Sequence, residues 1–318
     1  MTIERIELFN YLKSRDQIID IRTLNFKQPE RKRRNTFTMV REREDIETSN
    51  TDNSNSIFKQ RVQMLRKELE PFNFDAYTPP MKKREWKANT VAEFTGIEYE
   101  GEWSFGKKDG RGVQIWVDGT LYEGYWGNDK ALGQGRMIHA NGDVYEGFWM
   151  NDKQHGFGIY KHADGTVYNG NWRQDKEWGK GRETYPTGDR FTGDYVGGKK
   201  EGLGKFEWVD GSFYEGQYRN DTMDGEGTYV NKEGEYVGQW KNNQMSGKGD
   251  YSYTDGRRYK GHFVAGLKEG QGSMFWPDGR TYVGGWKDGK QHGEGKFSVN
   301  GETKTGEWNN GKRIRWID

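Results

Sequence analysis

A five-residue unit, aromatic-x-Gly-x-aromatic, returns nine times at an almost constant step, and a chain patterned this way folds as an array of like units stacked on their neighbours. The copies are Tyr99-Glu-Gly-Glu-Trp103, Tyr122-Glu-Gly-Tyr-Trp126, Tyr145-Glu-Gly-Phe-Trp149, Tyr168-Asn-Gly-Asn-Trp172, Phe191-Thr-Gly-Asp-Tyr195, Tyr214-Glu-Gly-Gln-Tyr218, Tyr236-Val-Gly-Gln-Trp240, Tyr259-Lys-Gly-His-Phe263 and Tyr282-Val-Gly-Gly-Trp286. A degenerate tenth is Lys304-Thr-Gly-Glu-Trp308. The step is 23 residues, shortened to 22 between Tyr214 and Tyr236 and between Tyr282 and Lys304. Seven residues after the last aromatic of most copies comes Gly-x-Gly, as in Gly110-Arg-Gly112 and Gly293-Glu-Gly295. Dipeptides such as Asp118-Gly119 and Asp278-Gly279 close the units, and such pairs favour hairpin turns.

Side chains alternate across a strand, so Tyr99, Gly101 and Trp103 share one face while Glu98, Glu100 and Glu102 take the other. Each pentad glycine (Gly101, Gly124, Gly147, Gly170, Gly193, Gly216, Gly238, Gly261 and Gly284) therefore lies on the aromatic side, where its missing side chain leaves a slot for a ring. The expected fold is all-β, an elongated single-layer antiparallel sheet of about ten hairpins with one aromatic stripe as its core. Twenty strands at roughly 4.7–4.9 Å spacing would give a rod on the order of 90–100 Å.

Composition agrees with a ring-based core. Only 31% of the 318 residues are apolar, but 13 Trp, 18 Tyr and 16 Phe are present, and each can bury roughly 150–250 Å². Net charge of +1 gives no argument for a nucleic-acid ligand. With no cysteine there is no disulfide and no thiolate chemistry. Neither a signal peptide nor a run of 18 apolar residues is visible.

Glycine also sets the domain boundary: residues 1–95 contain none, and all 46 lie from Gly96 to Gly311. Residues 1–91 read as a charged extension (19 Lys+Arg against 14 Asp+Glu) and 92–318 as the array. Ile3, Ile6, Phe9 and Leu12, and again Phe58, Val62, Leu65 and Leu69, recur at helical spacing, which predicts two short amphipathic helices. The tract TSNTDNSNS between them reads as flexible.

The pattern YEGxW, then Gly-x-Gly, then Asp-Gly resembles the MORN (membrane occupation and recognition nexus) repeat family over about residues 96–311. The resemblance implies an open extended sheet and a role in assembly at cilia, radial spoke heads, axonemes or other cytoskeletal structures. Leucine-rich repeats of similar period need a leucine ladder, which is absent, and WD40 and kelch periods are too long.

The expected activity is therefore a non-catalytic scaffold or adaptor without a cofactor. Alternatives are a tether binding acidic phospholipids, which MORN arrays have been thought to do, or a targeting subunit for a separate enzyme. One layer leaves the aromatic face uncovered, which nominates Tyr122, Trp126, Tyr145, Trp149, Trp240 and Trp286 as partner anchors. Glu100, Glu123, Glu146 and Glu215 form a ladder expected to be solvated, and Lys107, Lys108, Lys130, Lys153, Lys176, Lys199, Lys200, Lys268 and Lys290 cluster near the turns. His155 and His292 precede Gly-x-Gly and read as structural. Thr36, after Arg33 and Arg34, is a candidate phosphorylation site.

Overall fold

The computed structural model describes residues 51–92 and 95–318. It is one open antiparallel meander of 21 strands, each paired with its neighbours in sequence, in which every repeat supplies one hairpin. The expected fold class is what the chain adopts. Repeats are numbered 1 to 10 from the pentads starting at Tyr99 and ending at Lys304. Repeat 1 consists of β2 (Glu98–Ser104) and β3 (Lys107–Ile115), repeat 2 of β4 (Leu121–Gly127) and β5 (Lys130–Ile138), and repeat 3 opens with β6 (Val144–Met150). Repeat 10 consists of β20 (Glu302–Asn309) and β21 (Lys312–Trp316).

Two kinds of turn alternate along the sheet. Within a repeat the strands meet through two residues that both take positive φ, such as Asn128 (50°) and Asp129 (67°), the type I′ geometry that matches strand twist. Asn and Asp hold most of these positions because they tolerate left-handed backbone. Between repeats the loop is longer: Trp116 N donates to Thr120 O, Gly119 N donates to Trp116 O, and only the glycine has positive φ. The Asp-Gly pairs thus differ from the expected hairpin turn, since Asp118 uses its carboxylate to accept from Thr120 N rather than a left-handed backbone. The two 22-residue steps arise where β13 (Thr222–Asn231) meets β14 (Gly234–Lys241), and where β19 (Lys290–Val299) meets β20, through two residues only.

The sheet begins at β1 (Glu85–Val91), which pairs with β2, so the end of the extension belongs to the array rather than to a separate unit ending at residue 91. Before it runs α1 (Thr51–Glu68). Val62 is fully buried against Leu121, Ile138 and Val144, with Leu65, Leu69, Val113 and Ile115 packed around them. The helix starts inside the tract read as flexible, because extending an anchored helix costs little once a turn is nucleated. Phe58, expected on the buried stripe, is 39% exposed. The Ile3–Leu12 helix, the Arg33–Arg34 tract and Thr36 lie outside the described residues.

The outer face is therefore not uniformly wet. Over repeats 1–3 it carries Val113, Ile115, Leu121, Ile138 and Val144 under α1, and Tyr125 and Phe148 beneath Phe74 and Tyr77. Tyr125 donates its hydroxyl hydrogen to Phe74 O.

Candidate protein-binding surface

The inner face is built from each pentad's own chemistry. Each leading ring lies across the two glycines of its hairpin: a Cβ on Gly124 would stand 2.6 Å from the Tyr122 hydroxyl and one on Gly135 would stand 2.3 Å from it. The pairs Gly101/Gly112, Gly147/Gly158, Gly170/Gly181, Gly216/Gly227, Gly238/Gly249, Gly261/Gly272 and Gly284/Gly295 hold the other tyrosines the same way, and Gly193/Gly204 hold Phe191. Laid flat, the tyrosine reaches forward to donate to the carbonyl three residues on, as Tyr122 does to Tyr125 O at 2.9 Å. Its ring then meets two others edge-on, Trp126 of its own repeat at 5.0 Å and Trp149 of the next at 5.3 Å. The tryptophan in turn donates Nε1 to a glycine carbonyl of the preceding repeat, as Trp149 does to Gly135 O at 3.0 Å. These links join consecutive hairpins through nearest-neighbour contacts.

This geometry changes the status of the six rings nominated as anchors. Tyr122 and Tyr145 are fully buried, and Trp126, Trp149, Trp240 and Trp286 are only 4–7% exposed. They are core, because glycine lets each ring sink onto backbone and spend both edges on neighbouring rings. Burial lifts the Tyr122 and Tyr145 hydroxyls well above the ordinary phenol range, so both stay neutral donors.

Apart from Trp103, the partly exposed aromatics packed on this core come from the second strand and the loop after it, among them Trp116, Trp208, Tyr229, Tyr253, Trp276 and Phe297. The signal was present in the sequence, since these residues lie two and four positions beyond Gly-x-Gly. A third inner row, paired with the pentad's final ring beside the turn within each repeat, changes from repeat to repeat: Lys108, Ala131, Gln154, Glu177, Lys200, Met223, Met245, Lys268, Gln291 and Arg313. Three of the lysines read as turn residues thus belong to the inner face. The Lys108 ammonium lies over Tyr99 and Trp126 and donates to Gln114 Oε1. Lys200 is buried, 3.1 Å from Glu183 Oε2, and donates to the Tyr185 hydroxyl at 2.7 Å. Lys268 lies over Tyr253, Tyr259 and Trp286.

On the outer face Glu100, Glu146 and Glu215 are exposed, but Glu123 is buried between Arg66 of α1 at 2.8 Å and Arg136 at 3.1 Å. Arg136 also meets Glu146 at 2.8 Å and donates to Glu70 O at 2.9 Å. This cluster fastens the helix end to repeats 2 and 3. At the inter-repeat loops Asp143 accepts from Ala163 N at 2.8 Å and from the Tyr160 hydroxyl at 2.9 Å, with His162 Nδ1 3.6 Å away. Burial alone would raise the Asp143 carboxyl, but these donors outweigh it and hold it well below the usual range. Burial pushes His155 and His139 below the ordinary imidazole value. Among the described residues no group of three or more His, Asp and Glu is placed to hold a metal ion, and no helix is long and apolar enough to cross a membrane.

Nine consecutive matches to the MORN repeat model cover residues 99–121, 122–144, 145–167, 168–190, 191–213, 214–234, 236–257, 259–279 and 282–303. No curated protein matches the chain. Among solved structures it is similar to the SAS-4 (dCPAP) TCP domain of Drosophila melanogaster, solved with a proline-rich motif of Ana2 (dSTIL), at 14% identity over 66% of this chain and 97% of that one, with a TM-score of 0.28. It is also similar to the G-box domain of the microcephaly protein CPAP, at 15% identity over 63% of this chain and 94% of that one, with a TM-score of 0.24. Scores this low carry no argument about fold or function. The nine family matches and the ring-on-glycine ladder coincide repeat by repeat, and the chain belongs to the MORN-repeat family.

Proposed function

We propose that this chain is a non-catalytic scaffold that binds protein partners along its sheet, as a structural component of a ciliary or other cytoskeletal assembly. The observation that carries the reading is the row of half-exposed aromatics Trp116, Trp208, Tyr253 and Trp276 beside a pentad ladder already packed against itself. Half-exposed tryptophan and tyrosine on a long open surface are the side chains that dominate protein interfaces, because they bury large area with few rotamers to fix. The ciliary part of the reading rests on resemblance to the family.

Proximity labelling in the native cell tests it, comparing the full chain with one lacking residues 1–50, which keeps α1 and β1 in place. Recovery of axonemal or other cytoskeletal proteins by both supports the scaffold. Dominance of membrane proteins, with salt-sensitive pelleting on acidic vesicles, would replace it with the lipid tether.

A further inference from the structure

Charge is segregated along the array. Residues 92–235 carry 17 Lys+Arg against 26 Asp+Glu, whereas residues 236–318 carry 14 against 9. Three cations of the second group stand on the inner face of repeats 8–10. Lys268 is half-buried over Tyr253, Tyr259 and Trp286. Lys304 occupies the position where every other pentad has a ring, opposite Phe297. Arg313 lies over Trp316, its guanidinium 4.2 Å from the ring centroid. Among the described residues none of the three has a carboxylate within ion-pair distance, in contrast to Lys200 with Glu183. Burial, with Arg257 nearby, lowers the Lys268 pKa to about 8, the response of an ammonium without a counter-charge. Tyr253, Trp276, Phe297 and Trp316 stay partly exposed around these cations, and Arg257 and Arg280 lie over Tyr253 and Trp276.

We infer that the inner face of repeats 8–10 is a docking site for an extended, acid-rich segment of a partner protein. The inference rests on the scaffold reading and names its partner chemistry. From β17 (Leu267–Phe275), which carries Lys268, to β21, which carries Arg313, is four strand steps. At roughly 4.8 Å per step that is about 19 Å, spanned by about six residues of extended chain at roughly 3.3 Å each. Carboxylates on such a segment reach an ammonium set among rings and supply its missing counter-charge, while the half-exposed aromatics cover the intervening side chains. A flat anionic bilayer is served better by the exposed Lys287 and Lys290, which flank the inward-facing pair Trp286 and Gln291 and so take the outer side of the turn, than by Lys268, half-buried among rings.

The test is binding of a fluorescein-labelled oligoglutamate peptide to the full chain at low salt. The site variant Lys268→Met, Lys304→Gln and Arg313→Gln uses side chains already found in the inner row at Met223, Met245, Gln154 and Gln291, and a urea midpoint close to wild type certifies its fold. A control of equal charge change, Lys287→Gln, Lys290→Gln and Lys296→Gln, acts at the turn and on the outer face of the same repeats. The expected result is salt-sensitive binding that the site variant weakens by about tenfold or more, equivalent to about 1.4 kcal/mol, and the control by far less. Binding weakened equally by both variants, no binding at all, or preference for phosphatidylserine vesicles lost in the control would overturn the inference. If the site variant still labels the same native partners as wild type, the scaffold stands without this site; if wild type labels no protein partner, the scaffold itself falls.

Discussion

Repeats 1–3 and repeats 7–9 share one inner ladder and differ on the other side of the same strands. Tyr122 over Gly124 and Gly135 and Tyr259 over Gly261 and Gly272 are built alike, to within a few tenths of an ångström at each glycine. On the outer face the front repeats place Leu121, Tyr125, Ile138, Val144 and Phe148 beneath α1 and the Phe74–Tyr77 segment, whereas the equivalent positions further on hold Glu235, Gln239, Ser252, Arg258 and His262, all exposed. The repeat consensus governs the inner face because ring and glycine must match in every hairpin. The outer face is free to vary, so its departures from polarity record a particular tertiary contact. One side of the sheet makes the array, and the other makes this array distinct.

The strongest way to break that comparison is Val62→Asp, which sets a charge among Leu121, Ile138 and Val144. A loss of about 4 kcal/mol or more is expected, read by hydrogen exchange as faster opening of repeats 1–3 with repeats 7–9 unchanged. Equal loss at both ends would mean that the array opens as one unit. Next in size, Gly124→Ala and Gly261→Ala each put a Cβ within 2.5–2.6 Å of the facing glycine and the tyrosine hydroxyl. Both are expected to cost about 3 kcal/mol in local exchange, and a large inequality would show that the two ladders are not equivalent.

A smaller effect sharpens the contrast. Glu123→Gln leaves Arg136 and Arg66 without their shared carboxylate, although Glu146 still meets Arg136, so a loss of about 2 kcal/mol confined to repeats 1–3 is expected in urea unfolding followed by exchange. Smallest is the pH response of Lys268. With its folded pKa lowered to about 8 against an ordinary 10.5, the unfolded chain binds more protons between those values, so stability of repeats 8–10 rises with pH across that window. Lys268→Met should remove the rise, and acid-segment binding should weaken as pH passes about 8. A rise unaltered in Lys268→Met assigns it to another group.

Much of this was legible before any coordinates. Tyr-x-Gly-x-Trp at a 23-residue step implies hairpins, and the helix around Val62, Leu65 and Leu69 follows from its spacing. The docking of that helix was legible only as an anomaly: Leu121, Ile138 and Val144 sit where the pattern calls for polar residues, and a reading tuned to the repeat passes over departures from it. The anchors were misassigned for a related reason. Alternation tells which face a ring takes, but not whether it stands up into solvent or lies down on glycine.

By itself the sequence determined the period, the hairpins, the antiparallel order and the pairing of rings with glycines, because each depends on residues within one repeat or its neighbour. Tertiary structure alone decided which aromatics remain accessible, that Glu123 is buried between two arginines, that β1 joins the sheet, and that among the described residues Lys268 lacks the counter-charge Lys200 has. Those outcomes depend on contacts between segments far apart in the chain, and on how deeply a side chain sinks once its neighbours are in place, neither of which a local pattern encodes.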